Sequence, residues 1–318
     1  MRIVLANPRG FCAGVDRAIK IVDEVLDALG PPVYVRHEIV HNPHVVADFR
    51  SRGVIFVEDL SAVPDGATVV FSAHGVARQV VADAAARELR VFDATCPLVT
   101  KVHLEVERHA RAGRSVLLVG HRGHVEVLGT VGHYSNPDGD GIHVIQTEAE
   151  AEAIEVPRPD NVAYVTQTTL SVDDTSRIVA TLTRRFPKIR APNRDDICYA
   201  TQNRQDAARA LARCCDVALI VGARHSSNTM RLYELLLRAQ IESHLIERAE
   251  DLERTWLEAR TRIGVTSGAS APDLLIEQLV ERIRSWYPGI EVESIGEPER
   301  VVFRLPRDVE QLARSHRA

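Results

Sequence analysis

The chain has 318 residues, of which 45% are hydrophobic and 26% are charged, and its formal net charge is −5. This composition is ordinary for a soluble globular protein of two or three domains, and the negative charge argues against broad nucleic-acid binding. No apolar run approaches the roughly 18 residues of a membrane-spanning helix, and the first apolar run breaks at Pro8, too early for a signal peptide. We therefore expect a cytoplasmic protein with no membrane or nucleic-acid partner.

Short apolar runs alternate with amphipathic stretches along the chain. The strand-like runs are residues 2–6, 33–35, 67–71, 91–93, 115–120, 162–165, 217–222 and 262–266. This alternation predicts an α/β fold with mostly parallel sheets. Ligands of such sheets bind beyond the carboxyl ends of the strands, and here those ends carry His, Ser, Thr, Asn, Glu and Cys.

Cys12, Cys96 and Cys198 are each predicted to follow a strand and to precede a helix. A thiolate is favoured at a helix start, because the unpaired N–H groups and the helix dipole stabilise negative charge. The intervals of 84 and 102 residues between the cysteines predict three small α/β units in a pseudo-threefold arrangement around a central site. The units would span residues 1–96, with Cys12 and Cys96, then 97–194, and then 195–284, with Cys198. Residues 285–318 would form a tail closing on the first unit, with a strand-like run at 301–303 and a disordered end.

The cysteines allow several kinds of site. Three thiolates can ligate three irons of a 4Fe–4S cluster, and the open fourth iron could then act as a Lewis acid. From spacing alone, a catalytic Cys–His pair, a zinc site and three unrelated core thiols remain alternatives, although the lack of a C-x-x-C pair weakens zinc. Five cysteines in a reducing compartment disfavour a disulfide framework. Cys214 and Cys215 are predicted to be packing residues.

Polar side chains at the strand ends form a second candidate set. A lone histidine there is more often structural, and an isolated Glu126 would more often be a solvated loop carboxylate. Taken together, a donor-rich, lysine-poor set suits a diphosphate in a closed pocket. Beside an anion, Glu126 would take up a proton and could deliver it. The set comprises His41, His74, His124, Ser226, Ser227, Asn228 and Ser270.

The chain closely resembles the family of 4-hydroxy-3-methylbut-2-enyl diphosphate reductases (LytB type), from Arg2 to about Pro306. The motifs that carry the resemblance include Asn7-Pro8-Arg9-Gly10-Phe11-Cys12 and Asp93-Ala94-Thr95-Cys96-Pro97. The other matching segments are residues 37–42, 72–75, 166–170, 198–202, 226–228 and 267–270. Their order along nearly the whole chain makes coincidence negligible.

The resemblance implies an iron–sulfur reductase that performs the last step of the non-mevalonate isoprenoid pathway. Such an enzyme uses two electrons and two protons to remove a hydroxyl as water, giving isopentenyl and dimethylallyl diphosphate. It implies that Cys12, Cys96 and Cys198 ligate one 4Fe–4S cluster, whose open fourth iron binds the substrate hydroxyl. Glu126 would be the catalytic acid, and Thr168 would help to relay its proton. The substrate diphosphate would be bound by His41, His74, His124, Thr169, Ser226, Ser227, Asn228 and Ser270.

The sequence departs from the family pattern near two of these motifs. Val125 replaces the usual proline between His124 and Glu126, and Leu128 and His133 stand where the family tends to have Glu and Gln. Thr229-Met230 replaces a more polar pair after Asn228. None of these changes removes a residue with a named role.

Residues 184–194 hold five basic residues and no acidic one. A solvated linker would have this composition, and so would a docking surface for the acidic ferredoxin or flavodoxin that the resemblance implies as electron donor. Two rival functions also remain, a non-catalytic iron–sulfur redox sensor and a metal-free Cys–His enzyme acting on phosphorylated substrates.

Overall fold

A computed structural model describes residues 1–317 of the chain. Its strands are β1 (Arg2–Ala6), β2 (Val33–Arg36), β3 (Val54–Val57), β4 (Thr68–Phe71), β5 (Arg90–Asp93), β6 (Ser115–Val119), β7 (Ile142–Ile145), β8 (Val162–Thr166), β9 (Val217–Val221), β10 (Glu242–Ile246), β11 (Arg262–Ser267) and β12 (Glu291–Ile295). Its α-helices are α1 (Ala13–Leu29), α2 (Pro43–Ser51), α3 (Arg78–Ala86), α4 (Pro97–Arg111), α5 (Val125–Val131), α6 (Glu148–Ala153), α7 (Val172–Arg185), α8 (Tyr199–Ala212), α9 (Ser227–Arg238), α10 (Asp273–Trp286) and α11 (Arg307–Arg317).

Within residues 1–317 the strands form three separate sheets, and the strands of each sheet run parallel. Sheet A has the order β10-β9-β11-β1-β12, sheet B the order β3-β2-β4-β5, and sheet C the order β7-β6-β8. The predicted α/β class with three small parallel sheets is confirmed.

The chain divides into two compact units. Unit 1 comprises residues 1–16, 41–43 and 199–302 and contains sheet A; unit 2 comprises residues 17–40, 44–198 and 303 onwards and contains sheets B and C. We predicted that residues 1–96 form one unit. In the structure, β1 pairs instead with β11 and β12, which lie far along the chain. Parallel strands pair across long connections, so the order of apolar runs along a chain does not fix their sheet.

Sheet A forms the centre of unit 1 and is covered on both faces. The side chains of Leu219 and Val265 pack with Leu279 of α10, while Ile220 on the other face packs with Leu232 of α9. All five residues of β9 are buried. Burial on both faces explains why this strand reads as a continuous apolar run rather than an alternating one.

Sheet C shows the same two-sided packing within unit 2. Leu117 and Val119 pack against Leu182 of α7, whereas Leu118 packs against Val106 of α4. Successive side chains of a strand point to opposite faces, so β6 joins two helical layers. The two helices, α4 and α7, begin just after the turns that contain Cys96 and Thr169.

The end of the chain differs from the prediction. The run at 301–303 is not a strand, and Val302 is 77% exposed. Instead of a disordered end, α11 continues through Arg317, because Val309 and Ala313 bury one face of this amphipathic helix; Ala318 lies outside the described residues. Across the part of the chain that the structure describes, no helix is both long and apolar enough to span a bilayer.

Candidate active site

Cys12 in unit 1 lies between the end of β1 and the start of α1. Its backbone N–H donates to the carbonyl of Ala269 at 3.1 Å, and its own carbonyl accepts the N–H of Asp16 at 2.9 Å. Ala269 is the second residue after the end of β11, the neighbour of β1 in sheet A. The cysteine is thus fixed by main-chain bonds to the carboxyl end of the sheet and to the first turn of the helix.

Cys96 and Cys198 in unit 2 are held in the same way. The N–H of Cys96 donates to the carbonyl of Ala73 at 3.0 Å, and that of Cys198 donates to the carbonyl of Thr168 at 3.0 Å. Ala73 and Thr168 are again the second residues after the ends of strands, β4 and β8. A helix follows each cysteine directly, with Pro97 at the first position of α4 and Tyr199 at that of α8.

Cys198 nevertheless departs from the predicted pattern, because the preceding residues 187–198 do not form a strand. The N–H of Thr166 in β8 donates to the Asp196 carboxylate at 3.0 Å, so a loop lies along β8 where we expected a strand. Ile197, the residue before Cys198, packs into the core between sheet C and α7.

Burial raises the pKa of the Cys12 thiol above its usual value, while the charge of Arg204 and the N–H groups of Val15 and Gly14 act in the opposite direction. These N–H groups belong to the first turn of α1, so the sulfur is at the helix N-terminus as predicted. A bound metal would deprotonate such a thiol, since metals take cysteine as thiolate.

Cys214 and Cys215 stand apart from these three cysteines. They follow the C-terminal end of α8, a helix of 14 residues that begins directly after Cys198 and is therefore about 20 Å long at about 1.5 Å per residue. Their sulfurs lie 3.7 Å apart, and burial raises the pKa of Cys215 to about 12. Cys215 packs against Leu211 and against the apolar core of α8 and α9, as expected for a packing residue.

Glu126 is buried in unit 2 and is bound by Thr168. Its Oε1 accepts the Thr168 N–H at 2.7 Å, and its Oε2 accepts the Thr168 hydroxyl at 3.0 Å. Burial raises the pKa of Glu126 to about 7; the Thr168 bonds lower it, and the Asp196 carboxylate raises it. A glutamate with this pKa can hold a proton near neutral pH and release it, as general acid catalysis requires.

His124 precedes Glu126 and forms the N-cap of α5. Its Nδ1 accepts the Glu126 backbone N–H at 3.2 Å, so a neutral His124 ring carries its proton on Nε2. The ring of His74 lies edge-on to that of His124, with 6.0 Å between centroids. Nearby, the hydroxyl of Thr169 accepts a hydrogen bond from Gln167 at 3.3 Å. Unit 2 therefore brings the predicted residues His74, His124, Glu126, Thr168 and Thr169 into one set of turns at strand ends.

Unit 1 brings together the remaining predicted substrate-binding residues. The Ser270 hydroxyl donates to the carbonyl of His41 at 2.9 Å and lies 3.4 Å from the Ser226 hydroxyl. Ser226 is the N-cap of α9, in which Ser227 and Asn228 occupy the first two positions. The set is rich in hydroxyl and imidazole groups, and its members lie at the carboxyl ends of β9 and β11 or beside them.

Asn228 is oriented by two partners. Its Oδ1 accepts the N–H of Ala269 at 2.9 Å, and its Nδ2 donates to the hydroxyl of Thr201 at 3.0 Å. Thr201 was not among the predicted residues, because one threonine on the buried face of an Ala-rich helix carries no distinguishing signal. The bond to Ala269 also links Asn228 to Cys12, whose N–H uses the carbonyl of the same residue.

A partly buried ion pair connects α4, which follows Cys96, with the loop that precedes Cys198. The Nζ of Lys101, in the second turn of α4, lies 3.0 Å from Oδ1 of Asp196. Burial raises the pKa of Asp196 to about 6, and its bonds to the Thr166 N–H and to Lys101 oppose that rise. Sequence reasoning missed this pair, because only the folded chain brings residues 101 and 196 together.

The three single-residue departures from the family pattern lie on or beside α5. Val125 opens the helix, and Leu128 is 56% exposed. His133 follows the helix and lies 2.9 Å from the Glu107 carboxylate and 3.0 Å from the carbonyl of Val76. Its ring stacks on His103 with centroids 4.0 Å apart. His133 thus connects α4, α5 and the turn that carries His74.

Comparison with known proteins identifies the family. The profile of the LytB protein family matches residues 3–284, and the chain belongs to this family. A relative from Ectopseudomonas mendocina (strain ymp), named 4-hydroxy-3-methylbut-2-enyl diphosphate reductase, is 54% identical over 309 residues, covering 97% of this chain and 98% of that protein.

Solved structures give the same result. The E-1-hydroxy-2-methyl-but-2-enyl-4-diphosphate reductase from Plasmodium falciparum is 35% identical and superposes with a TM-score of 0.93, covering 100% of this chain and 99% of that one. A second structure, of (E)-4-hydroxy-3-methyl-but-2-enyl diphosphate reductase, described as the terminal enzyme of the non-mevalonate pathway, is also 35% identical. It has a TM-score of 0.65 and covers 90% of this chain and 100% of that one.

Proposed function

We propose that this chain is a 4-hydroxy-3-methylbut-2-enyl diphosphate reductase. It would remove the substrate hydroxyl as water with two electrons and two protons and release isopentenyl and dimethylallyl diphosphate. The observation that carries the proposal is the buried Glu126, held by two bonds from Thr168 with its pKa raised to about 7, in a chain 54% identical to a protein of that name.

Glu126 is the proposed proton donor. Near neutral pH a large part of the Glu126 population is protonated, because of the raised pKa. The Thr168 hydroxyl, 3.0 Å from Oε2, would relay the proton between the carboxyl group and the substrate. Delivering a proton to the departing hydroxyl turns a poor leaving group into water.

The diphosphate is the proposed ligand of the neutral donors. His41, His74, His124, Thr169, Ser226, Ser227, Asn228 and Ser270 supply hydroxyl, amide and imidazole groups. Asn228 Oδ1 accepts the Ala269 N–H, and one of the two Nδ2 hydrogens is donated to Thr201, so the amide is oriented before substrate binds and its second Nδ2 hydrogen would serve the diphosphate. Preorganised donors of this kind bind an anion without reorganising.

Cys12, Cys96 and Cys198 would hold a 4Fe–4S cluster. The donor set fits this group: all three are thiols that take part in no disulfide, and each directly precedes a helix. The remaining cysteines, Cys214 and Cys215, lie at the far end of α8. When bound, a cluster with three cysteine ligands supplies electrons and one iron that no protein ligand occupies.

The electrons would come from a ferredoxin or flavodoxin, and residues 184–194 are the proposed docking segment. Part of its charge is already paired, since Arg184 contacts Glu152 and Lys188 lies 2.7 Å from Asp160. Its attraction for an acidic carrier would therefore rest mainly on Arg185, Arg190 and Arg194. We further propose that the protein is cytoplasmic.

Turnover of the named substrate by anaerobically prepared protein tests the proposal. Iron and sulfide are quantified, a chemical reductant supplies electrons, and the two diphosphate products are measured for the wild type and for Glu126→Gln. We expect a cluster, turnover in the wild type, and a loss of about 100-fold or more in the variant, in line with general acid catalysis. A cluster without turnover would favour a redox sensor, and full activity with iron chelated would favour a metal-free Cys–His enzyme.

A further inference from the structure

A basic side chain binds the turn beside each of the three cysteines. In each case the cation donates to main-chain carbonyls of the residues just before the cysteine, and in each case it comes from a helix. The three cations are Arg204 for Cys12, Arg17 for Cys96, and Lys101 for Cys198.

Arg204 is a fully buried arginine in α8, with 0% of its side chain exposed. One Nη donates to the carbonyl of Gly10, two residues before Cys12, at 3.0 Å, and the other donates to the carbonyl of Ala200 at 3.0 Å. Glu299 lies 3.1 Å away as its ion-pair partner. The Nε atom has no hydrogen-bond acceptor within residues 1–317. Burying a guanidinium with an unsatisfied donor is costly, which indicates a role for its charge beyond packing.

Arg17 in α1 makes the corresponding hydrogen bonds beside Cys96. Its Nη1 donates to the carbonyl of Thr95 at 3.0 Å and lies 3.4 Å from that of Ala94, the two residues before the cysteine. Its Nε donates to the carbonyl of Arg304 at 2.9 Å. Each of these acceptors is a neutral carbonyl, and the nearby groups whose negative charge acts on Arg17 are Cys96 and the carboxylates of Asp93 and Asp308.

Lys101 in α4 binds the loop that leads into Cys198. Its Nζ donates to the carbonyl of Arg194 at 2.6 Å, to the carbonyl of Asp195 at 3.0 Å and to the Asp196 carboxylate at 3.0 Å. Asp196 is anchored in turn by the N–H of Thr166 at the end of β8. Because Lys101 is one turn from Cys96, it couples the position of one cysteine turn to the other within unit 2.

We propose that Arg17, Lys101 and Arg204 are positioning residues that hold the three cysteine turns and offset the negative charge of the thiolates in the cluster-bound protein. The inference rests on the proposed function, because it concerns the cluster. Partners of this kind around metal ligands are typically important for affinity, and net charge near an iron–sulfur cluster sets its reduction potential. Removing a cation should lower the potential, since the more negative, reduced state loses stabilisation.

Arg87 provides a matched control for a purely structural role. It donates to the carbonyls of Leu60 and Val63 and pairs with Asp65, so it also binds a turn through main-chain acceptors. That turn, however, carries no cysteine. Arg87→Gln should therefore cost folding stability without changing any property of the cluster.

The experiment compares Arg17→Gln, the double variants Lys101→Met/Asp196→Asn and Arg204→Gln/Glu299→Gln, and the charge-keeping Arg17→Lys and Arg204→Lys. Each double variant also replaces the carboxylate that would otherwise be left buried without its cation. Circular dichroism identifies which of the variants are folded. The readouts are the rate of iron loss to a chelator and the reduction potential from a titration followed by electron paramagnetic resonance.

We expect iron loss to accelerate by about 10- to 100-fold in Arg17→Gln and in both double variants, with partial rescue in the lysine variants. The potential should fall in Arg17→Gln, which removes a net positive charge, and should change less in the double variants, which remove a carboxylate together with the cation. Folded variants with wild-type iron retention and potential would overturn the inference alone. Equal changes in Arg87→Gln would also overturn it, because the effect would then be general destabilisation. A wild-type chain that binds no cluster would overturn the proposed function and this inference together.

Discussion

The carbonyl of Thr168 accepts the backbone N–H of Cys198 at 3.0 Å, while its N–H and hydroxyl both donate to Glu126. One residue therefore links the candidate acid to a candidate cluster ligand through three short bonds. A change in the position of the loop after β8 would move both groups together. The hydroxyl is the only side-chain group of Thr168 among these contacts, so a substitution of the Thr168 side chain changes the bond to Glu126 and keeps the main-chain bond to Cys198.

Thr168→Val should shift the pH dependence of turnover. The variant keeps the backbone N–H bond to Glu126 and loses only the hydroxyl bond, which lowers the pKa of that carboxyl. A hydrogen bond to a charged group contributes about 1.5–3 kcal/mol, so the pKa of Glu126 should rise by about one unit or more. The alkaline limb of kcat/KM should move to higher pH by that amount, and Thr168→Ser should retain the wild-type limb. A slower enzyme with an unmoved limb would show that the hydroxyl does not tune Glu126.

Glu126→Gln should change how folding stability depends on pH. The pKa of Glu126 is about 7 in the folded chain, against an ordinary value of 4.5. The resulting stabilisation is complete below pH 4.5 and is lost as pH rises through 7, and it amounts to about 3 kcal/mol. The free energy of unfolding of the wild type should fall by this amount relative to the variant as pH rises from about 4 to 8. Urea unfolding of iron-free protein measures it, and a pH-independent difference would rule it out.

His103 should make the fold sensitive to acid. Burial lowers the pKa of His103 to about 3 from 6.5, and the neighbouring His133 adds to the effect. The stabilisation is complete above pH 6.5 and is lost as pH falls toward 3. Between about pH 7 and pH 4 the wild type should lose about 3 kcal/mol more than His103→Gln. Denaturation at several pH values checks this, with the exposed His316→Gln as the control that should follow the wild type.

If residues 184–194 form a docking surface, two substitutions in and beside them should change the rate of electron transfer in opposite directions. Lys188 and Asp160 form an exposed ion pair at 2.7 Å. Lys188→Glu replaces the positive charge with a negative one, and Asp160→Asn removes the carboxylate that neutralises Lys188. If an acidic carrier docks at residues 184–194, the first change should slow its electron transfer and the second should accelerate it. Both effects should shrink at high ionic strength. A small chemical reductant should reduce both variants at the wild-type rate; equal losses with both reductants would contradict docking there.

The fold was predictable in outline because buried parallel strands form continuous apolar runs. The strands that sequence reasoning missed, β3, β7, β10 and β12, all lie at the edges of their sheets. In β12, for example, Glu291 and Ser294 are exposed and the other three residues are only partly buried. The apolar pattern of β12 is therefore weaker than that of a central strand, whereas all four residues of β3 are apolar, so its place at a sheet edge does not explain why β3 was missed. The prediction of a strand before Cys198 was wrong because Ile197 packs into the core from a loop.

Glu126 and the three cysteines could be selected as candidates from the sequence because they stand in recognisable motifs at predicted strand ends. Arg17, Lys101 and Arg204 were missed for a physical reason: a basic residue on a helix usually lies on the solvated face. Only the tertiary structure shows that Arg204 has no exposed surface and that Lys101 contacts residues 194–196. Their acceptors are mainly backbone carbonyls, which leave no mark in the sequence.

The bonds from the cysteine N–H groups to Ala269, Ala73 and Thr168 have a consequence for the life of the protein in the cell. Many small metal-binding domains fold only when the metal arrives, whereas here the backbones of the three candidate ligands are hydrogen-bonded to residues that follow the ends of the strands. Iron scarcity should then produce a reservoir of folded, inactive chains that regain activity on reloading without new synthesis. Chelation should accordingly bleach the protein while its far-ultraviolet circular dichroism stays unchanged.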